Sequence, residues 1–170
     1  ALCVTAENIT VDSCEFTNID SDNIIVYSVK GDSKITNNTF NADPVPSKKR
    51  FAVYYEGGAD SATDLSGFIA GGTLTVSGNN VTTKGGLFHF TNWKLAKDLE
   101  LIITNNIVDN FSNKAISIYS ENYPMNGDEF KSITVNYNVF KNIPEGRPAI
   151  RDYRDNPAVP VDATLNYWGS

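Results

Sequence analysis

The sequence predicts an all-β solenoid, and two observations support this prediction. A short pattern (apolar, two residues, Asn, one residue, apolar) recurs along the 170-residue chain and is clearest at Ile103-Thr104-Asn105-Asn106-Ile107-Val108. Each copy is rich in β-branched and aromatic residues and alternates apolar with polar side chains, which is the strand period and not the helical one. Recurrence every 20 to 50 residues or so is typical of proteins whose repeats must stack on one another to bury their apolar faces.

One position of the repeat is nearly always Asn. Five copies carry it and a first copy has Cys in its place, with steps of 24, 41, 27, 32 and 28 residues between Cys14, Asn38, Asn79, Asn106, Asn138 and Asn166. Asn tolerates left-handed backbone angles, so we expect this position to form the bend where a strand leaves its sheet. Stacked in successive coils, the amides would hydrogen-bond along the axis as a ladder. The alternative is that Asn serves only as a turn residue.

Short strands joined by irregular loops favour a single-stranded right-handed parallel β-helix of about five to six coils. Each coil has two recognisable strand segments, a first family whose alternating apolar residues point inward and a second family after a turn. In chain order the segments are residues 9–16 and 24–29, 34–40 and 51–56, 73–83 and 87–91, 99–111 and 115–121, 132–143 and 149–153, and 163–168. Residues 57–72 read as an insertion between coils, since such insertions cost little loop-closure entropy.

Composition excludes some partners. The net charge is −6, so a nucleic-acid backbone would be repelled, and Lys48-Lys49-Arg50 is a short basic run best interpreted as a solvated loop. No run of 18 apolar residues is present, so no membrane span is predicted. We expect residues 1–170 to form one β-helix domain, a fragment of a larger protein, whose uncapped edges would allow end-to-end self-association.

The two cysteines, Cys3 and Cys14, lie in the first coil. They could form a disulfide in an oxidising compartment or be two buried reduced thiols, and the sequence leaves both open. His89 is the only histidine, so no zinc site of Cys and His ligands is predicted.

The second strand family predicts a ligand-binding stripe. If its apolar residues face inward, alternation sends a row of aromatic side chains outward, flanked by charged residues. Flat rings with polar neighbours suit sugars, although cross-strand stacking that only stabilises a sheet is the alternative. The candidate ligand-binding residues are Tyr27, Tyr54, Glu56, His89, Tyr119, Glu121 and Tyr153, with Arg151 and Arg154 beside them.

Two stretches carry a resemblance to a known family. Repeats of the form Ile-Thr-Asn-Asn-x-Phe, together with the closing Asn166-Tyr167-Trp168-Gly169-Ser170, resemble right-handed parallel β-helix proteins of the pectate-lyase-like superfamily. The ending is similar to the terminal coil of secreted and surface-attached bacterial members. The resemblance implies an extracellular or cell-surface location, and the superfamily includes lyases, hydrolases, epimerases, adhesins and tailspikes, so fold alone does not choose an activity.

Catalytic candidates are few. Pectate lyases of that superfamily carry Arg-x-Pro-x-x-Arg, and the nearest stretch here, Gly146 to Arg151, has Gly where the first Arg belongs. The weak candidates are Arg151, Asp152 and Arg154, and the alternative is that they form an ion-pair network closing the last coils. Calcium is possible but would need several converging carboxylates, and only Asp152 and Asp155 lie nearby. We expect no other cofactor.

Three functions stay open. The leading hypothesis is a secreted or cell-surface domain that binds an oligo- or polysaccharide or another surface ligand, as an adhesin does, without catalysis of its own. A polysaccharide lyase or glycoside hydrolase acting on acidic glycans is the second, and a structural stalk or spacer is the third.

Overall fold

The computed structural model describes residues 2–41, 50–56, 71–91, 98–119, 130–154 and 157–169. These residues form eighteen short strands: β1 Leu2–Ala6, β2 Thr10–Asp12, β3 Glu15–Thr17, β4 Ile24–Val29, β5 Asp32–Thr36, β6 Thr39–Asn41, β7 Phe51–Tyr55, β8 Thr73–Ser77, β9 Asn80–Val81, β10 Gly86–Phe90, β11 Leu99–Thr104, β12 Ile107–Val108, β13 Ile116–Ile118, β14 Phe130–Asn136, β15 Val139–Phe140, β16 Ile150–Asp152, β17 Val161–Asp162 and β18 Tyr167–Trp168.

The strands form three six-stranded parallel sheets. Sheet A contains β1, β4, β7, β10, β13 and β16, sheet B contains β2, β5, β8, β11, β14 and β17, and sheet C contains β3, β6, β9, β12, β15 and β18. Each coil contributes one strand to every sheet, in the same order each time. The predicted right-handed parallel β-helix is therefore confirmed, with six coils. The long segments of the first strand family bend at the Asn position, which divides each of them between sheets B and C.

The core is built from rows of aligned apolar residues, one row per inward position. In sheet C, Phe16 pairs with Phe40 and Phe140 pairs with Trp168, and the rings stack with centroids 4.9 and 5.1 Å apart. Sheet B contributes fully buried residues such as Ile103. Burying one such side chain contributes about 1.5 to 3 kcal/mol, so the rows are the main source of stability.

The predicted asparagine ladder is confirmed. The side-chain amides of Asn38, Asn79, Asn106 and Asn138 each donate to Oδ1 of the next Asn along the stack, at 2.9 to 3.1 Å. Each also donates to the backbone of the coil before it, as Asn106 Nδ2 does to Val76 O at 2.9 Å. In the first coil, the backbone amide of Cys14 donates to Asn38 Oδ1 at 2.9 Å, so this coil is joined to the ladder through its backbone.

The left-handed bend lies one residue earlier than predicted. The residues that precede the ladder position all have φ between 55° and 67°, whereas no ladder Asn has a positive φ; the left-handed residues are Ser13, Asn37, Gly78, Asn105, Tyr137 and Leu165. The prediction that the ladder Asn itself adopts this angle was wrong. The ladder Asn is needed for its buried amide, and the residue before it turns the chain.

Neither prediction for the cysteines matches the structure. Cys3 and Cys14 are both unbridged, and both are exposed. Cys14 Sγ contacts the backbone oxygen of Asp12 at 3.3 Å. Several predicted features lie outside the described residues, namely Lys48, Lys49, most of the 57–72 insertion, Glu121 and Asp155.

Candidate functional site

The outer face of sheet A carries two rows of outward positions where one was predicted. The pairing of β4, β7, β10, β13 and β16 aligns one row of residues, Ile25, Tyr54, His89, Ser117 and Arg151. Two positions further along the strands, hydrogen bonds continue the same register and align Tyr27, Glu56, Thr91, Tyr119 and Tyr153, although the side chain of Tyr119 is turned into the core. The predicted stripe therefore combined members of two rows.

Tyr54, His89 and Phe51 form an aromatic cluster on this face. The imidazole of His89 stacks on Phe51 with ring centroids 4.9 Å apart and an interplanar angle of 19°. The ring of Tyr54 is tilted by 35° against the same imidazole at 5.1 Å. Thr91 Oγ1 donates to the Tyr54 hydroxyl at 3.1 Å, which fixes the ring at its outer end. A cross-strand stack of this kind holds its rings in a defined orientation.

His89 is neutral at physiological pH. Its side chain is only 8% exposed, and its Nδ1 has no hydrogen-bond partner among the described residues. Burial, and to a lesser extent the nearby charge of Lys114, lowers the pKa of His89 to about 4. The imidazole thus acts here as a flat, uncharged ring and not as a cation.

Tyr119 does not belong to the exposed surface, so its predicted outward orientation was wrong. Its side chain is fully buried, and its ring packs edge-on against Phe90 with centroids 5.2 Å apart. The physical reason is its backbone, because a φ of 65° interrupts the alternation of the strand directly after Ile118. Positive φ at a bulky residue is uncommon, and alternation alone does not predict it.

Tyr27 and Glu56 lie together at the edge of the face, near Cys3. Both side chains are half-buried. Burial is the main cause that raises the pKa of Tyr27, and the neighbouring Glu56 and Cys3 act in the same direction. The backbone amide of Glu56 donates to Val26 O at 2.8 Å, which continues the pairing of β4 and β7 beyond the strand end.

Two cations meet on the ring of Tyr153. Lys114 Nζ donates to the Tyr153 hydroxyl at 2.9 Å and lies 4.5 Å from the ring centroid. The guanidinium carbon of Arg151 lies 4.7 Å from the same centroid. Lys114 precedes β13 and Tyr153 follows the neighbouring β16, so the two side chains start at opposite ends of the sheet and meet over its outer face.

Asp152 and Arg154 form an ion pair that closes the core. Nη2 of Arg154 donates to Asp152 Oδ2 at 2.7 Å, and Nε donates to Oδ1 at 3.0 Å. The backbone amide of Arg154 also donates to Oδ1, at 3.0 Å. The guanidinium carbon lies 5.3 Å from the ring centroid of Phe130, and the Arg154 side chain is fully buried. Arg154 therefore does not flank an exposed stripe. Its pairing with Asp152 agrees with the alternative prediction, in which these residues form ion pairs at the last coils.

A second concave region lies at the corner between sheets A and B. It is a cleft of about 320 Å³ with glycine backbone at its floor and charged side chains around it, among them Lys30, Asp32, Asp98, Glu100 and Lys131. Its two lysines are already paired, Lys30 with Glu7 at 3.2 Å and Lys131 with Glu100 at 3.9 Å. This cleft has no aromatic platform, which distinguishes it from the outer face of sheet A.

The structure thus brings Tyr54, His89, Arg151 and Tyr153 together on one face and excludes Tyr119 and Arg154 from it, while Glu121 lies outside the described residues. Sequence reasoning missed Phe51 and Lys114. No local pattern marks them: each lies at or before the start of a strand, and only the packing of coil on coil shows that their side chains reach this face.

Comparison with protein-family models, with curated proteins and with solved structures found no match to this chain. Within the described ranges, no three His, Cys, Asp or Glu side chains converge as metal ligands. The same residues include no helical segment that could traverse a lipid bilayer. Any ligand of this face must therefore be inferred from the chemistry of its residues.

Proposed function

We propose that the outer face of sheet A binds carbohydrate, or another ligand exposed at a surface, and that the domain is secreted or displayed on a cell without catalysis of its own. The observation that supports this most is the grouping of Tyr54, His89 and Tyr153 with two hydrogen-bond donors, Lys114 and Arg151, on one face of a rigid sheet. The low content of charged residues, 20%, suits an extracellular domain.

Sugar rings present apolar C–H faces and hydroxyl edges, so they need flat apolar partners beside polar ones. The cluster presents the half-buried, uncharged rings of Tyr54 and Phe51, whose orientation is fixed by stacking on the buried imidazole of His89. Lys114 and Arg151 supply donors at one side of those rings. Aromatic residues combine large contact area with low conformational entropy, and few well-placed polar groups are enough to fix a ligand's orientation.

The arrangement of Asp152, the one acidic residue among the catalytic candidates Arg151, Asp152 and Arg154, favours binding over catalysis. A general base or a calcium ligand must have a free carboxylate, yet both oxygens of Asp152 accept hydrogen bonds from Arg154. Fork-like pairs of this kind are among the stronger polar contacts in proteins. We therefore place the polysaccharide lyase or hydrolase second, and no described contact of Arg151, Asp152 or Arg154 favours it.

A glycan panel tests the proposal. The protein is titrated with neutral and acidic oligosaccharides while tyrosine fluorescence or ring NMR signals are followed, and binding by at least one glycan class is expected. Substituting Tyr54→Leu keeps apolar bulk but removes the ring, and we expect binding about tenfold weaker or more. Tyr137→Ala is the matched control, since Tyr137 is 56% exposed at a bend between sheets B and C.

Three outcomes separate the hypotheses. Loss of binding in Tyr54→Leu but not in Tyr137→Ala supports a ligand face on sheet A. Absence of binding across the panel would contradict the proposal and leave the structural spacer as the better description. Absorbance from unsaturated uronide on incubation with pectin, alginate or glycosaminoglycans, with calcium added, would instead establish the lyase.

A further inference from the structure

The strongest unassigned feature of the molecule is the pair of cations on Tyr153. Like charges repel, and the offset that the described residues show is the ring of Tyr153, whose centroid lies 4.5 Å from Lys114 Nζ and 4.7 Å from the guanidinium carbon of Arg151. A cation is attracted to the face of an aromatic ring, but one cation alone would obtain the same attraction. Bringing a second cation to the same ring leaves local positive charge uncompensated.

No carboxylate among the described residues neutralises this pair. The ion pairs found there use other cations, Lys30, Arg50, Lys131 and Arg154. Asp152 is the sequence neighbour of Arg151, but its two oxygens are held by Arg154. The contrast with the corner cleft, where both lysines are paired with glutamates, shows that this fold places acidic partners beside cations elsewhere.

Position also matters. Lys114 is half-buried and makes its hydrogen bond to the Tyr153 hydroxyl, so its ammonium is held in place, while Arg151 is exposed. Lys114 lies close enough to lower the pKa of the buried His89, which connects the cation pair to the aromatic cluster of Tyr54, His89 and Phe51. The aromatic cluster of Tyr54, His89 and Phe51 is therefore adjacent to the positively charged pair Lys114 and Arg151, which can attract an anion.

We infer that Lys114 and Arg151, on the platform of Tyr153, bind an anionic substituent of the ligand, a carboxylate or a sulfate ester of a glycan. The inference rests on the proposed function and names the class of ligand for the same face. The lysine supplies a point charge, and the guanidinium supplies a planar donor fork that matches a carboxylate or sulfate. The protein as a whole carries a charge of −6, so a polyanion is attracted only by a local cluster such as this one.

The experiment measures affinity by calorimetry at low salt with three polymers: hyaluronan, which carries only carboxylates; dextran sulfate, which carries only sulfate esters; and neutral dextran. We expect the wild-type protein to bind at least one of the two anionic polymers, and the pair of anionic arms tells which group is preferred. The affinity is expected to fall as NaCl is raised, because exposed charges are screened.

The test variant is Lys114→Met/Arg151→Gln, which removes both positive charges and leaves an unbranched aliphatic stem at each position. Loss of charged contacts at two positions is expected to weaken binding about a hundredfold, and Arg151→Gln alone about tenfold. Because Arg151 is exposed, the single variant is expected to fold even if the double variant does not; thermal unfolding checks both. The control is Lys34→Met/Lys141→Met, which removes two exposed lysines of sheet B and the end of sheet C.

Equal weakening in the control would mean that overall charge is responsible and would overturn the inference, as would wild-type affinity in Arg151→Gln. Binding of neutral dextran or of a neutral glycan that depends on Tyr54, with no preference for either anionic polymer, would refute the anionic site and leave the proposed function standing. Absence of binding to any glycan would refute both.

Discussion

Asn106 shows how many hydrogen bonds one buried side-chain amide makes in this fold. Its side chain is fully buried, and its Nδ2 donates to Val76 O, to Thr104 O and to Asn138 Oδ1. Its Oδ1 accepts from both the backbone amide and the side-chain amide of Asn79. Every polar atom of the side chain is therefore used, and it joins three successive coils.

Asn106→Ala is expected to lower the free energy of unfolding by about 3 kcal/mol, because it leaves buried donors of Asn79 and a buried carbonyl unsatisfied. Urea unfolding followed by circular dichroism measures the change. The control is Asn105→Gly at the adjacent, exposed position, where φ is 56° and glycine fits the backbone. If both variants show the same small decrease in the free energy of unfolding, the ladder does not have this stabilising role.

His89 predicts a specific pH dependence. Its pKa is about 4 in the folded protein, below the usual histidine value of 6.5, so between these values the unfolded chain binds a proton that the folded protein does not. The stability associated with His89 is therefore complete above about pH 6.5 and falls by about 3 kcal/mol as the pH approaches 4.

The variant His89→Phe keeps a ring between Phe51 and Tyr54 but cannot titrate. The difference in unfolding free energy between wild type and variant, measured at pH 7.5 and pH 4 in the same buffer ions, isolates this residue from the carboxylates. A difference that does not change with pH would contradict a buried neutral imidazole.

For single residues, the sequence predicted which positions form the ladder better than it predicted backbone angles and side-chain directions. The ladder positions were predictable because five asparagines recur in register. The burial of Tyr119 was not, because its φ of 65° reverses the side-chain direction that alternation predicts. Lys114 was missed for a related reason, since a long side chain reaches a face that is remote from its own position along the chain.

At the scale of the elements, the bend between sheets B and C explains why the strands are so short. In five of the six bends a ladder Asn directly follows the left-handed residue, and in the first bend Cys14 follows Ser13; the strand of sheet C begins at the next residue. The left-handed conformation costs an ordinary L-residue roughly 1 to 2 kcal/mol, whereas Gly, and to a lesser degree Asn, adopts it more readily. The chain has Asn37, Gly78 and Asn105 at three bends but Tyr137 and Leu165 at two others.

Tyr137→Asn is therefore expected to raise the free energy of unfolding by about 0.5 to 1 kcal/mol, since it relieves the backbone while removing a side chain that is 56% exposed. Chemical denaturation again provides the measurement. Tyr137→Phe keeps the strained backbone and should leave stability unchanged; a loss of stability in Tyr137→Asn would show that the ring contributes packing that outweighs the strain.

The sequence predicted two strand families and the structure has three sheets. The short strands of sheet C contain only two or three residues, too few for a period to be recognised, and they continue directly from the bend. The two rows on the outer face of sheet A were merged in the prediction because the register between coils depends on strand pairing, which no single strand specifies.

At the scale of the whole molecule, the last coil carries the largest exposed apolar side chains. Leu165, Tyr167 and Trp168 are 65%, 63% and 50% exposed, and Trp168 occupies the row that is otherwise core. End-to-end self-association stays a prediction. Sedimentation velocity over a range of concentrations tests it, and Leu165→Asn/Tyr167→Ser is expected to shift the protein towards monomer.

Ile107→Asn is the control for that measurement, because Ile107 is 39% exposed on the side of the stack and not at its end. A wild-type protein that stays monomeric at every concentration would refute the prediction. If Ile107→Asn had the same effect as the double variant, association would involve the lateral surface instead.

Because of the ladder, the distance between successive coils does not depend on the number of residues in a coil. The step from Asn38 to Asn79 contains 41 residues and that from Cys14 to Asn38 contains 24, yet in both the backbone amide of the first residue donates to Oδ1 of the next Asn at 2.9 Å. The spacing between coils is therefore independent of the number of residues in the step, and the entropy of closing a longer loop grows only slowly with its length. A foreign peptide spliced into such a step would lengthen the contour of the polypeptide while the rise per turn stays the same.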